Sequence, residues 1–367
     1  MTLVKQEIKA TIEKPFEGMT IGGHEQVTFC YDEATGLRAI IAIHNTVLGP
    51  ALGGLRMWNY ATETEALNDV LRLSRGMTYK AAITGLNLGG GKAVIIGDAK
   101  TQKSEALIRR FGRFVESLGG KYITAEDVGI NTRDMEYISN ETKHVSGLPE
   151  SMGGGGDPSP VTAYGVYMGM KAAAKHKWGN DSLNGKTVTV QGTGHVGFYL
   201  LELLAKEGAK LVVADINEDN LKKAVDETGA TVVNPNDIYD VQADIYAPCA
   251  LGATLNSDTI PRLKCEIVAG SANNQLAIEE QDGQALIQRG IIYAPDFLIN
   301  AGGLINVYNE VLGKYNKDRV MRHAETIYGQ TLAILERAET QKITPQLAAN
   351  HIAEERINAM AAIKTRM

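Results

Sequence analysis

Six consecutive residues, Gly192-Thr193-Gly194-His195-Val196-Gly197, restrict this chain of 367 residues more than any other feature. They spell G-x-G-x-x-G directly after the strand-like run TVTVQ and directly before an apolar helical stretch. In that setting the first glycine permits a tight turn and the second lets backbone approach a pyrophosphate. The third lets helix and strand pack closely, and free N–H groups at the helix start form an anion site. Asp215, about 20 residues on, ends the next strand, where a carboxylate accepts hydrogen bonds from ribose hydroxyls and repels a 2′-phosphate. No lysine or arginine follows at Ile216, Asn217 or Glu218, so the expected cofactor is NAD rather than NADP. Asp215 has an alternative reading as the N-cap of the next helix. His195 reads as a spacer or phosphate neighbour rather than a catalytic group.

Around this motif the chain alternates short apolar strands with helical crossovers. KTVTVQG (186–192), KLVVADI (210–216), DIYAPCA (244–250), EIVAGSANN (266–274) and IIYAPD (291–296) read as strands of a parallel sheet covered on both faces. The first part reads differently. VTFCYD (27–32) and LRAIIAIHN (37–45) form an expected antiparallel hairpin. The stretches Thr64 to Met77 and Ser104 to Leu118 carry apolar stripes at helical spacing: Leu67, Val70 and Leu71 in one, and Leu107, Ile108, Phe111, Val115 and Leu118 in the other. Between them GLNLGGGKAVIIGD (85–98) feeds a glycine run into a short strand, and YITAEDVG (122–129) ends a further strand in two carboxylates. The densest Gly/Pro cluster, LPESMGGGGDPSP (148–160), marks a boundary or hinge, and a helix follows over 161–179. The fold class expected is α/β, with two domains separated by a cleft. The first is an α/β domain with a mixed sheet and the second a Rossmann-type doubly wound parallel sheet.

A hydrophobic share of 44% beside 22% charged residues supplies ordinary cores. The net charge of −6 comes with scattered lysines and arginines, so no basic stripe exists for a nucleic acid. Two lysines and a glutamate in MTLVKQEIKA interrupt any secretory core, and no run is long enough to span a membrane, so a cytoplasmic protein is expected. Cys30, Cys249 and Cys265 are too sparse for a disulfide framework and read as buried small hydrophobes. The histidines show no ligand spacing, and no metal is expected.

Lys80 closes GMTYK, Lys92 closes GLNLGGGK and Asp127 lies in TAEDVG. Two lysines in apolar, glycine-rich sequence depart from the solvated lysine norm. One can hold a carboxylate by its charge; the other, lowered in pKa by burial and a like neighbour, can act as a base near neutral pH. These segments, with GPALGGLRMW (49–58), GMTYKAAITGLNLGGGKAVIIGD (76–98), KYITAEDVG (121–129), DPSPVTAYGV (157–166), DIYAPCALGA (244–253), AGSANNQL (269–276) and YAPDFLINAGGLINV (293–307), resemble the glutamate/leucine/phenylalanine/valine dehydrogenase family over essentially the full chain.

The resemblance implies a division of labour. Residues 1–149 would bind substrate and support oligomerisation, 150–330 would bind NAD, and the C-terminal helices of 331–367 would return to the first domain. Lys80 would anchor the substrate carboxylate, Lys92 would be the general base and Asp127 the proton-exchanging carboxylate. Leu52, Gly53, Gly54, Met77, Ala125, Ser146, Asn274, Leu304 and Val307 would surround the substrate, with Asn274 orienting its amino or carboxylate group. Thr162 and Asn273 would approach the nicotinamide carboxamide, and Ala250 would join the cofactor set with the 192–197 loop and Asp215. The implied reaction is NAD-dependent, reversible oxidative deamination of an L-amino acid to a 2-oxo acid and ammonia by a homo-oligomer, an octamer being the expected state.

Specificity follows the walls. Glutamate-specific relatives typically carry lysine where Leu52 stands, so glutamate here would bury an unpaired charge. Leu52, Ala125, Leu304 and Val307 form an apolar wall suited to leucine, isoleucine or valine. Ser146, Leu304 and Leu55 depart from common residues, and one methylene changes such a preference by only about 1–3 kcal/mol. The alternatives are a phenylalanine preference within the same family, another dehydrogenase class with a similar cofactor domain, which leaves Lys80, Lys92 and Asp127 unexplained, or a noncatalytic NAD-binding sensor.

Overall fold

The computed structural model describes residues 14–313 and 315–364. The reading of the first ten residues therefore lies outside the described part. By internal contacts the chain forms two compact units. Of the described residues, one gathers those from Lys14 to Gly156, the short segment starting at Val307 and ending at Tyr315, and those from Glu354 to Lys364; the other comprises Asp157–Asn306 and Asn316–Ala353.

The first unit is built on a mixed sheet in the order β1-β2-β4-β3-β5: β1 (Gln26–Asp32), β2 (Leu37–Asn45), β3 (Ala51–Trp58), β4 (Gly89–Ile96) and β5 (Tyr122–Glu126). The expected hairpin forms, with Asp32 opposite Leu37. β4 runs antiparallel to β2 and parallel to β3, and β3 runs parallel to β5. Period two sorts β4 into two faces. Val94 joins Ile40, Ala42, Leu67, Val70 and Leu71 beneath the helix Glu63–Ile83. Ala93 and Ile95 join Leu55, Met57 and the Leu107, Ile108, Phe111, Val115 stripe of the helix Glu105–Ser117 on the other.

The glycine run lies inside β4 rather than ahead of it, and each glycine removes a specific collision. A Cβ on Gly90 would stand 2.1 Å from the Thr78 backbone nitrogen, and one on Gly91 would stand 2.7 Å from the Tyr122 ring. The helix Glu63–Ile83 therefore seats its Ser74–Thr78 turn directly on the strand. This helix also runs further than its apolar stripe predicts, so Met77 and Lys80 both lie on it. Its N-terminus is capped by Thr62, and its C-terminal end is held by Arg356, whose guanidinium donates to the carbonyls of Ala82 (3.2 Å), Gly85 (3.0 Å) and Leu86 (2.7 Å). A cation at this end also complements the helix dipole.

The second unit carries a six-stranded parallel sheet in the order β11-β10-β9-β6-β7-β8: β6 (Thr187–Gln191), β7 (Lys210–Ala214), β8 (Thr231–Val232), β9 (Ile245–Pro248), β10 (Ile267–Val268) and β11 (Ile292–Tyr293). Counted from β6 outward this is the doubly wound dinucleotide-binding order. β10 keeps only two residues of the expected strand 266–274, because Gly270 onward leaves the sheet as a loop. Cys30 and Cys265 are buried as expected, whereas Cys249 is half-buried. No described helix is long and apolar enough to cross a membrane.

The Gly90 contact and an open glycine on the same helix give opposite expectations. Gly90→Ala forces the helix off β4 and lowers stability by about 1–3 kcal/mol. Gly76→Ala, with nothing within 4 Å of its new Cβ, raises helix stability by about 0.5–1 kcal/mol. Urea denaturation of both variants checks this, and a Gly90→Ala protein as stable as its parent contradicts the close seating.

Candidate active site

Strand register in the first unit collects the expected reactive groups on one face. Leu52 of β3 pairs with Gly90 of β4, and Gly54 of β3 pairs with Ala125 of β5. Alternation then places Leu52, Gly54, Arg56, Gly90, Lys92 and Ala125 on the face covered by the helix that carries Met77 and Lys80. Asp127 follows β5 directly. A Cβ on Gly54 would stand 2.8 Å from Asp127 Cβ, so the second of the paired glycines is the space into which Asp127 turns. Gly53 serves the backbone: its carbonyl accepts the Tyr122 hydroxyl at 2.6 Å.

Lys92 is only 7% exposed, and its Nζ lies 2.6 Å from Asp127 Oδ2. The same oxygen accepts Arg56 Nε at 3.2 Å. Arg56 reaches on through Nη1 to Asp69 Oδ2 at 2.9 Å, and Asp69 also accepts the Tyr60 hydroxyl at 2.7 Å and Arg72 Nη2 at 2.9 Å. Burial, helped by the Arg56 charge and opposed by Asp127, pulls the Lys92 ammonium below the usual lysine value of 10.5. Burial works to raise the Asp127 carboxyl, but the Lys92 and Arg56 charges override it and hold that carboxyl below its usual 3.8. A weakly basic amine beside a persistent carboxylate is a proton-exchange pair.

Ser146 is fully buried next to β5, with its N–H (2.9 Å) and its hydroxyl (3.2 Å) both donating to the Thr124 carbonyl. Val307 also belongs to this unit, whereas Leu304, Thr162, Asn273, Asn274, Ala250, the 192–197 loop and Asp215 belong to the other.

There the glycine loop has the expected division of space. A Cβ on Gly192 would stand 2.8 Å from Ala250 Cβ, and one on Gly197 would stand 2.1 Å from the Gly192 carbonyl oxygen. Over Gly194 nothing lies within 4 Å, which leaves a cradle open to the N-terminus of the helix His195–Glu207. These features fit a dinucleotide pyrophosphate. Thr193 is buried and donates through its N–H (2.6 Å) and hydroxyl (3.0 Å) to Asp215 Oδ2. Burial opposes ionisation of Asp215, yet donors from Thr193, Asn217 and Ile216 hold its carboxyl below 3.8. The N-cap of the following helix is Asn217, not Asp215. His195 and Val196 open the next helix, His195 being exposed.

Asn273 and Asn274 are exposed on a loop supported from below. Asn300 Nδ2 donates to Asn273 Oδ1 at 2.8 Å and to the Ser271 carbonyl at 3.2 Å. Gln275 bonds the Gly270 and Ala272 carbonyls, and its N–H meets Asp296 Oδ2 at 3.0 Å. Asn274 takes a left-handed conformation with φ of 52°, which asparagine tolerates better than most residues. Thr162 donates its hydroxyl to Pro158. Among the described residues no three His, Cys, Asp or Glu side chains converge as a metal site.

Sequence reasoning missed Arg56, Asp69 and Asn300. Arg56 stands in GGLRMW, two residues past Gly54, where strand alternation alone returns it to the same face. Asn300 had no comparable signal, because its partners, the Asn273 side-chain oxygen and the Ser271 carbonyl, lie 27 and 29 residues away.

Comparison with known proteins agrees with this architecture. Residues 24–144 match the family described as Glu/Leu/Phe/Val dehydrogenase, dimerisation domain, and residues 153–219 and 213–364 match glutamate/leucine/phenylalanine/valine dehydrogenase. The chain is 57% identical to a leucine dehydrogenase of Thermoactinomyces intermedius, over 95% of this chain and 94% of that one. It is 50% identical to a valine dehydrogenase of Streptomyces coelicolor, over 92% and 93% of the two chains. The crystal structure of L-tryptophan dehydrogenase from Nostoc punctiforme superposes with a TM-score of 0.84 at 46% identity, covering 94% of this chain and 99% of that one. With both halves matched and the buried lysine–aspartate pair of one unit joined in sequence to the dinucleotide fold of the other, the chain belongs to the Glu/Leu/Phe/Val dehydrogenase family.

Proposed function

We propose that this protein catalyses NAD-dependent, reversible oxidative deamination of branched-chain aliphatic L-amino acids, foremost L-leucine, to 2-oxo acids and ammonia. The observation that carries the reading is Lys92, buried in the sheet with Nζ 2.6 Å from Asp127 Oδ2. Lys80 anchors the substrate carboxylate. The 192–197 loop and Asp215 would hold NAD, which would supply the hydride acceptor for the amino acid α-carbon. Neutral Lys92 then avoids a second positive charge beside the substrate iminium and takes a proton from the attacking water. Asp127 passes protons to the amino nitrogen so that it leaves as ammonia. Asn274 orients the substrate, while Thr162 and Asn273 meet the cofactor carboxamide.

Asp215 supports NAD over NADP, since an ionised carboxylate repels a 2′-phosphate. Leu52, 2% exposed, and Ala125, 7% exposed, supply rigid apolar wall on adjacent strands, and Leu304 and Val307 supply the rest. Homologues named for leucine, valine and tryptophan show that the same framework serves several apolar side chains. Assembly into a homo-oligomer, with an octamer as the expected state, belongs to the same proposal. It is supported by the dimerisation domain matched at 24–144 and by the edge strand β1, whose Phe29 and Tyr31 are 56% and 67% exposed. A cytoplasmic location also belongs to it.

Four measurements test the reading. NADH formation from L-leucine, L-isoleucine, L-valine, L-phenylalanine, L-tryptophan and L-glutamate should be fast for the aliphatic three and much slower with NADP. A glutamate or aromatic preference overturns the pocket account, and silence across the panel with intact NADH binding overturns the activity. Lys92→Ala should lower kcat by at least about 100-fold. Because the free amine is the active form, deamination should rise with pH through a limb lying below 10.5; a flat profile across that limb removes Lys92 as the base. Asp215→Ala should raise KM for NAD about tenfold and narrow the preference over NADP, as loss of a charged hydrogen-bonding group requires; unchanged discrimination counts against the carboxylate's role.

A further inference from the structure

The proposed chemistry makes a demand that Lys92 and Asp127 cannot meet alone. Lys92 gains a proton from the attacking water and later returns it, so its charge alternates between +1 and zero. A carboxylate paired only with that lysine would lose its counter-charge in every cycle. In so closed a site it would then share or take up the proton itself, as tightly coupled pairs do.

Arg56 removes the difficulty by geometry. Its Nε donates to Asp127 Oδ2, the same oxygen that meets Lys92, at 3.2 Å. A guanidinium does not deprotonate in this range, so one positive charge stays on Asp127 through the cycle. The arginine is held at its far end by Asp69 on the helix Glu63–Ile83, which is itself fixed by Tyr60 and Arg72. The charged and titratable groups facing the pair are thus Arg56 from β3, Lys92 from β4, Asp69 and Arg72 from the helix, and Tyr60 from the turn after β3; the helix also carries Lys80. Side-chain exposure is 56% at Arg72, 15% at Asp69, 22% at Arg56, 20% at Asp127 and 9% at Lys92, so only the Arg72 end of the chain lies in solvent.

We propose that Arg56 is a positioning residue that keeps Asp127 fixed and ionised in both protonation states of Lys92, so that Lys92 titrates as a single group. The inference rests on the proposed roles of Lys92 and Asp127. Arg56 touches neither substrate nor cofactor in this account. It acts through Asp127, and its charge also disfavours the Lys92 ammonium, in the direction noted for that group.

The experiment follows kcat/KM for L-leucine and NAD against pH in the parent protein and in Arg56→Gln, Arg56→Lys and Asp69→Asn. Alongside it, the pH at which Lys92 becomes reactive toward acetic anhydride is read by peptide mass spectrometry. Loss of the guanidinium should move the acid limb and the Lys92 reactivity midpoint about one pH unit upward, because a neighbouring cation has been removed. Arg56→Lys keeps a charge and should return both near the parent position, with kcat only partly restored because one ammonium cannot span Asp127 and Asp69. Asp69→Asn leaves Arg56 charged but less anchored and should lower kcat with a smaller shift of the limb. If Arg56→Gln does not fold, Asp69→Asn carries the test, and unchanged kcat in it overturns the proposal. Reduced activity in Arg56→Gln with limb and midpoint both at the parent positions reduces Arg56 to a structural role and also overturns it. A parent protein silent toward every amino acid removes the proposed function instead, while the reactivity midpoint still decides whether Arg56 governs Lys92.

Discussion

An ammonium group 7% exposed in the middle of a β-sheet is the constraint around which the first unit is arranged. Leaving such a charge unpaired in a closed site carries a large penalty, so a partner has to lie within hydrogen-bond reach. Asp127 supplies it at 2.6 Å, and the surrounding backbone is shaped to let it do so. Gly54 leaves the space into which Asp127 turns, Gly90 lets the helix bearing Met77 and Lys80 lie on the strand, and Gly91 makes room for Tyr122 beneath. Pairing alone would keep the lysine protonated. Burial, with the Arg56 charge added, works the other way and pulls the ammonium below 10.5, the direction that the proposed base requires.

The second unit applies a related logic to polar groups that face outward. Asn273 and Asn274 are exposed, but the loop that presents them is tied down by buried side chains: Asn300 on Asn273, Gln275 on the Gly270 and Ala272 carbonyls, and Asp296 on the Gln275 N–H. Each bond satisfies a backbone or amide group that would otherwise be buried unpaired. Rigid support of this kind aims a surface amide without help from a ligand, which spares binding the entropy of ordering it. The Thr193–Asp215 contacts do the same for the glycine loop, since the residue between its first two glycines is locked to the carboxylate at the end of the next strand.

Local signals in the sequence reached much of this. The hairpin, the stripes of the two covering helices, the glycine fingerprint and the separate segments that carry Lys92 and Asp127 are each legible locally, by period, by turn chemistry or by an unusual charge in apolar surroundings. The rest depends on partners far along the chain. β3 hides its strand period behind paired glycines that exist to admit Gly91 and Asp127. The helix Glu63–Ile83 outruns its apolar stripe because Arg356, about 270 residues later, holds its final carbonyls. β10 stops after two residues because loop 270–276 finds its hydrogen bonds in Gln275, Asn300 and Asp296 instead of in a ladder. Asp215 illustrates a third case. Its position was plain from the fingerprint, but its alternative role as N-cap was settled only by the Asn217 side chain accepting from Asn220.

In the proposed function, substrate preference rests on two kinds of wall with different freedom to change. Leu52 and Ala125 are fixed by β-pairing on β3 and β5, with Gly54 opposite Ala125, so altering their volume disturbs the strands that also hold Lys92 and Asp127. Leu304 and Val307 stand three residues apart on the helix Gly302–Val311, a spacing that puts them on one helical face. They touch no part of the sheet's hydrogen-bonding ladder. Under the proposed function, substitutions at these two positions would change the apolar wall without touching the strands that hold the buried charge pair.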